Sequence, residues 1–280
     1  MILGIDIGGS YLRYELRKNN ILVTRNVLKS VQTGLYAFLK GILDEHHTIT
    51  TVFISYAGQV NNGVILSAPN IAIDEHNIKA SIEEKYSVEL FIENDLNCAV
   101  LAESALYKSN DICAISVGTG LGLGVISSTT LIKGFENIAT ELGHIPYKES
   151  PFTCNCGKKN CIELFCSGSG LMKWKKEYGL DESLTLKELK NSYNKDAKRI
   201  YDEFFKALFH AFGTIITLFN PQILVLGGGI ILNNKYILQE VKKNIKNYAL
   251  PLALKNIKIV HTQLKNASLE GAFLLKDFHA

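Results

Sequence analysis

Three cysteines and a histidine are spaced for metal chemistry. Cys154, Cys156 and Cys161 fall within eight residues, and His144 stands ten positions upstream. Thiolates with an imidazole suit zinc, and four protein ligands close a tetrahedron with no position left for water, as in structural rather than catalytic sites. The plain alternative is free thiols in a loop with His144 a surface histidine. Gly157 and the tight Cys-x-Cys turn argue against it. Cys166 is a further thiol nearby, while Cys98 and Cys113 read as ordinary buried thiols.

A second set of residues suits phosphate. Gly8-Gly9-Ser10, Gly118-Thr119-Gly120 and Gly227-Gly228-Gly229 each follow a short apolar run. Without a Cβ, glycine lets the backbone approach a phosphate closely enough for its N–H groups to donate. Ser10 and Thr119 add hydroxyls at the same turns. Asp6, just before the first turn, is a carboxylate suited to holding magnesium through water. None of the three turns is a P-loop or a dinucleotide fingerprint. Any one alone is ordinary punctuation, but three in one chain favour a nucleotide cleft between two domains. Asp95 stands between an apolar run and a helical segment. A carboxylate there serves as a general base or as a helix N-cap, and the residues alone leave both readings open.

The elements that would carry these groups alternate between strand and helix. Residues 2–7 are apolar, Leu12, Tyr14 and Leu16 alternate with charged neighbours, and 21–23 follow Asn19-Asn20, which predicts a three-stranded meander. A helix over 35–43, a strand over 52–55, a loop over 57–70, a strand over 90–93 and a helix over 96–107 follow. The pattern then restarts with a strand at 112–117, a glycine turn, and a hairpin joining 124–127 to 131–132. That is a duplication of architecture with little residue identity. Ile200, Phe204, Leu208, Phe212, Ile215, Ile216 and Phe219 mark a helix over 199–219, stopped by Asn220-Pro221. A strand at 223–226, a helix near 235–248, a strand at 257–261 and a last helix from Ala267 complete an α/β chain with a boundary near Asn110.

The composition agrees. Hydrophobic residues make up 47% of the 280 and charged residues 20%, which excludes a disordered class. Thirty basic against twenty-seven acidic side chains give a net charge of +3, too even for a nucleic-acid partner. The start, MILGIDIGGS, has no basic region before its apolar run, so neither a signal nor a transit peptide fits. The apolar stretch 207–219 is too short for a bilayer. A cytoplasmic protein with no membrane partner is expected.

These motifs, in this order, resemble one family: Asp6-Ile-Gly-Gly-Ser-Tyr-Leu-Arg13, Glu93-Asn-Asp-Leu-Asn97, Gly118-Thr-Gly-Leu-Gly122, Glu141-Leu-Gly-His144, Cys154-Asn-Cys-Gly-Lys-Lys-Asn-Cys161 and Gly227-Gly-Gly229. The chain is similar over essentially its whole length to the ROK family of repressors, open reading frames and sugar kinases. The resemblance implies a two-domain, actin-like ATPase (ribonuclease H-like) fold with a nucleotide and sugar cleft between the domains. Residues 1–110 with about 267–280 would form the small N-terminal domain. Residues 111–266, with a zinc loop over 144–161, would form the larger one.

The same resemblance implies roles. His144, Cys154, Cys156 and Cys161 would hold a structural zinc, and Asp95 would be the catalytic base. Asn94, Asp95, Glu141, His144 and Glu163 would contact sugar hydroxyls, with Gly58 and Asn70 lining the same pocket. Asp6, Gly8, Gly9, Ser10, Gly118, Thr119, Gly120, Gly227 and Gly228 would bind Mg–ATP. The implied activity is ATP-dependent phosphorylation of a hexose at its primary hydroxyl, glucose first, with N-acetylmannosamine, N-acetylglucosamine, allose and fructose as alternatives. A homodimer is the family expectation. The sequence departs from the family pattern at Ser10, Ala57, Leu123 and Asn160, none of which is the implied base or a metal ligand. Sugar-responsive repressors of the family carry a helix-turn-helix domain ahead of the core. This chain opens on the core strand at Ile2, so a regulator is disfavoured, and an actin-like assembly protein would need neither the zinc loop nor Glu163.

Overall fold

A computed structural model describes residues 1–30 and 33–279; Ala280, the end of the returning segment expected above, lies outside them. The chain forms two compact units. The first comprises Met1–Lys108, Leu131–Ala139 and Leu264–Ala280, and the second Ser109–Thr130 and Thr140–Gln263.

In the first unit the chain runs β1 (Ile2–Ile7), β2 (Tyr11–Lys18), β3 (Ile21–Lys29), α1 (Leu35–Glu45), β4 (Thr51–Tyr56), β5 (Gln59–Asn61), β6 (Val64–Ser67), α2 (Ile78–Glu83), β7 (Glu89–Asn94) and α3 (Asp95–Tyr107). One sheet has the order β3-β2-β1-β4-β7. The first three strands are antiparallel, and β1, β4 and β7 are parallel. Asn19 and Asn20 turn β2 into β3 with φ of 50° and 62°, the left-handed pair that matches strand twist in a two-residue hairpin. Leu3, Ile5, Ile7, Val52, Ile54 and Leu90 are buried against Leu35, Leu39, Ile78 and Ile82 from the two helices. Parallel strands buried in this way read as near-continuous apolar runs, which is why β1 and β4 are legible from sequence.

The second unit runs β8 (Ile112–Val117), β9 (Leu121–Ser127), β10 (Thr130–Leu131, its second residue counted with the first unit), α4 (Glu163–Cys166), α5 (Gly168–Glu177), α6 (Leu186–Asn191), α7 (Lys195–Phe219), β11 (Ile223–Gly227), α8 (Gly229–Asn233), α9 (Ile237–Asn244) and β12 (Lys258–His261). Its sheet order is β10-β9-β8-β11-β12. β8 pairs antiparallel with β9 and parallel with β11, and β11 is parallel to β12. The antiparallel and parallel strands fall in the same places as in the first sheet. The duplication expected from the sequence is therefore one of topology.

The chain then returns to the first unit with α10 (Ala267–Ala272) and α11 (Leu275–His279). The Arg17 guanidinium reaches Glu270 at 3.2 Å and lies 3.8 Å from the centre of the Phe273 ring, while Phe273 also packs on Phe53.

Several local readings change. The expected loop over 57–70 contains the β5–β6 hairpin, turned at Asn62 and Gly63 with φ of 49° and 83°; strands this short give no periodic signal. α7 starts four residues earlier than the expected 199, because Asn194 caps it by accepting from Asp196 N and Ala197 N. The helix expected near 235–248 ends at Asn244 and tightens into a 3₁₀ turn over Ile245–Asn247. Residues 131–139, expected in the second half, pack with the first unit, where Lys133 and Asn137 reach Glu93. Among the described residues no helix is long and apolar enough to cross a membrane.

Candidate active site

The residues singled out from the sequence fall into two groups, one in each unit. In the first unit all of them but Asn70, which follows β6, lie at the same edge of the five-stranded sheet. Register pairs Ile7 with Tyr56 and Tyr56 with Asn94, so three parallel strands end in one row. Gly8-Gly9-Ser10 follows the first, Gly58 the second and Asp95 the third. The carboxyl ends of such strands are where open α/β sheets bind ligands.

Asp6 lies one residue inside that edge and is buried. It accepts from Ser55 Oγ at 3.0 Å and faces Arg13 and Asn266 Nδ2, each at 3.4 Å. Burial raises its pKa above the ordinary carboxylate value, and these three partners offset the rise only in part. The Gly8 amide closes the turn on Tyr11 O at 2.9 Å. Gly9 is a glycine for space: a Cβ there would stand 2.6 Å from the Asn70 Cβ, so Asn70 lies directly against the turn.

At the third strand end the helix cap falls to one residue of the pair. Asn94 accepts from Leu96 N and Asn97 N, while its Nδ2 donates to Gly58 O at 3.0 Å. Asp95 is therefore the first residue of α3 rather than its cap, and its Oδ1 shares the Leu96 amide at 2.9 Å. The side chain is half-buried. Its carboxylate lies in the first turn of α3, at the positive end of the helix dipole.

In the second unit two glycine turns meet. Gly118-Thr119-Gly120 joins β8 to β9, and Gly227-Gly228 ends the neighbouring β11. Gly228 has φ of 86°, and a Cβ there would meet the Val117 backbone at 2.5 Å; only glycine fits. The start of α5 seats on the first turn, with Gly168 N donating to Gly118 O at 2.8 Å and Ser169 N to Thr119 O at 3.0 Å.

The metal-type cluster stands next to the same turn. The ligand atoms of His144, Cys154, Cys156 and Cys161 all lie within 4.8 Å of one another. His144 Nδ1 is 3.5 Å from Cys154 Sγ, and Cys156 Sγ is 3.3 Å from Cys161 Sγ. Zinc–sulfur bonds of about 2.3 Å imply sulfur–sulfur edges near 4 Å, so these four residues fit a tetrahedral ion. A short antiparallel pairing holds them: Pro146 bridges Cys161, Tyr147 N donates to Asn160 O, and Ile162 N donates to Ile145 O. Burial raises the Cys154 thiol and pushes Cys161 up to about 11. At Cys156 burial acts the same way, but the Lys158 amide and the two neighbouring thiols outweigh it and bring the thiol below its usual value.

Glu163 opens α4 beside this cluster. Its Oε1 lies 3.0 Å from Cys154 Sγ, and its Oε2 accepts from Leu121 N at 3.4 Å. Glu141 Oε2 stands 3.8 Å from His144 Nε2, on the ring edge away from the sulfurs. Two nitrogens of one imidazole thus face different partners.

The sequence did not disclose three pairs of contributors. Ser55 and Asn266 around Asp6 lie in no motif, and only their register and the returning helix bring them there. Lys133 and Asn137, which reach Glu93, come from a segment with no chemical signature. Gly168 and Ser169 had a weak signal, since a serine ahead of glycines suits the helix cap that Ser167 makes.

A family model described as the ROK family matches residues 2–277. The glucokinase of Thermotoga maritima is 26% identical over 97% of this chain and 95% of its own length. The xylose repressor of Bacillus spizizenii is also 26% identical, over 96% of this chain and 75% of its own length. A crystal structure of a ROK family glucokinase from Streptomyces griseus, in complex with glucose and AMPPNP, superposes with a TM-score of 0.77 at 22% identity, covering 99% of each chain. The fold is thus the actin-like ATPase fold that the motifs led one to expect.

Proposed function

The chain belongs to the ROK family, and from that premise we propose that it is an ATP-dependent sugar kinase that phosphorylates the primary (6-) hydroxyl of a hexose, glucose first. The observation that carries the reading is Asp95. The neighbouring Asn94 takes the capping duty, and the Asp95 carboxylate stands at the strand-end row shared with Gly8-Gly9 and Gly58.

Phosphoryl transfer asks a protein for alignment, charge neutralisation and a group that accepts the hydroxyl proton. Asp95 accepts that proton as the sugar oxygen attacks the γ-phosphate. Asn94, Glu141, His144 and Glu163 hold the other sugar hydroxyls, with Gly58 and Asn70 lining the pocket. Gly8, Gly9, Ser10, Gly118, Thr119 and Gly120 donate to the phosphates, and Gly227 and Gly228 lie along the nucleotide. Magnesium bound with the nucleotide supplies charge neutralisation, and Asp6 is the carboxylate that would orient it. Zinc held by His144 Nδ1, Cys154, Cys156 and Cys161 would supply rigidity, leaving His144 Nε2 for the sugar. An ATP-consuming enzyme with three reduced thiols at a metal suits the cytoplasm.

The repressor relative supports a second reading, a sugar-sensing regulator. Sugar binding alone needs no proton acceptor, so Asp95 favours the kinase. A coupled ADP-release assay against glucose, mannose, fructose, allose and the N-acetylhexosamines decides between them. Sugar-dependent ADP release supports the kinase and ranks the substrates. Sugar binding by calorimetry with no ADP release supports the sensor.

A further inference from the structure

A buried carboxylate one residue ahead of Asn94-Asp95 gathers four donors. Glu93 is 1% exposed. Its Oε1 accepts from Asn94 N at 2.8 Å, Asn97 Nδ2 at 3.1 Å and Asn137 Nδ2 at 2.7 Å, and its Oε2 pairs with Lys133 Nζ at 2.8 Å. Two of these donors come from residues 131–139, a segment that carries neither the glycine turns nor the metal cluster. Asn137 has φ of 59°, a left-handed conformation that asparagine tolerates better than other side chains. Its Nδ2 also donates to Val60 O at 2.7 Å, and its Oδ1 lies 3.4 Å from Asn97 Nδ2. One amide thereby ties β5, the first turn of α3 and Glu93 together, while Asn94 fastens the same corner to Gly58 O.

We infer that Asn137, backed by Lys133, is a positioning residue: through Glu93 it fixes the Asn94-Asp95 corner and the Gly58 loop in the geometry that proton transfer needs. The inference rests on the kinase reading above. A cavity of about 290 Å³ borders the corner, lined among others by Asn61, Lys79, Phe91, Glu93, Lys133 and Asn137. Packing on that side therefore does not hold the corner in place, and hydrogen bonds must. The cavity's two lysines are each neutralised, Lys79 by Glu83 and Lys133 by Glu93, so they serve the network rather than an anion. Removing the Asn137 amide leaves Val60 O and one lone pair of a buried carboxylate unmatched, and the corner relaxes toward the open side. A misplacement of about 1 Å near a reacting group lowers rates by roughly a hundredfold.

The test uses the full-length protein and three variants. Asn137→Gly keeps the left-handed backbone without the amide, Lys133→Gln removes the cation and Lys133→Arg restores one. Turnover, sugar KM and melting temperature are measured for each with the best sugar substrate. Asn137→Gly is expected to lower kcat about tenfold or more, with a smaller rise in sugar KM because Asn94 and Gly58 shift with the corner, and a melting temperature close to wild type. Lys133→Gln falls in the same direction, and Lys133→Arg loses less. Wild-type turnover with kcat of Asn137→Gly within about twofold overturns the positioning role alone. A fall in activity matched by a collapse in melting temperature for both Asn137→Gly and Lys133→Arg also overturns it, because the residues then serve the fold. No wild-type turnover on any sugar overturns the kinase reading and this inference with it.

Discussion

The Glu163 carboxylate lies 3.0 Å from the Cys154 sulfur. Its other oxygen accepts the Leu121 amide, which follows the Gly118-Thr119-Gly120 turn directly. One side chain therefore links the metal-type cluster to a glycine turn within a single unit, and its position depends on both. If Glu163 also binds a sugar hydroxyl, Glu163→Gln keeps the volume but replaces a charged acceptor by a neutral one. Sugar KM should rise roughly 10- to 100-fold, the range for losing a charge-assisted hydrogen bond. Kinetics with saturating ATP check this.

Metal content gives the next prediction. Elemental analysis should find one zinc per chain, and Cys161→Ser should hold much less than one. Exhaustive chelation should lower the melting temperature and raise sugar KM together, because His144 answers to both. Apparent zinc affinities at such sites are about 10–16 kcal/mol at neutral pH, so only a strong chelator will strip the ion. Full activity after complete metal removal would remove the cluster from the sugar site.

Asp6 predicts a conflict between stability and use. Its folded-state pKa is raised, chiefly by burial. A carboxyl whose pKa rises on folding favours the folded state fully below its unfolded value of 3.8. That contribution is lost as pH climbs through the raised folded value, so at neutral pH the buried charge works against the fold. Asp6→Asn, which still accepts from Ser55, should melt higher than wild type at pH 7, and the difference should shrink on acidification toward pH 4. The same variant should lose most of its Mg–ATP-dependent turnover. Thermal melts across pH and an assay at one pH measure both halves.

What the sequence disclosed follows from how local each signal is. β1 and β4 were legible because buried parallel strands are apolar throughout, and the metal cluster because its three cysteines lie within eight residues and His144 only ten positions before them. Asp95 was only half legible. A carboxylate at that position reads equally as base or cap until the structure shows Asn94 accepting from Leu96 and Asn97. The partners of Asp6 were out of reach, because Ser55 arrives through strand register and Asn266 through a helix 260 residues away in sequence. Asn137 was invisible for the same reason: its role depends on a left-handed turn and on a segment packing with the first unit.

The central claim is that Asp95 accepts the proton from the sugar hydroxyl. The most direct measurement compares Asp95→Asn with wild type, turnover by ADP release and sugar affinity by calorimetry on the same preparations. Asp95→Asn should lower kcat roughly 10²- to 10⁴-fold, with sugar affinity changed by less than about tenfold. Turnover by Asp95→Asn comparable to wild type would contradict the claim.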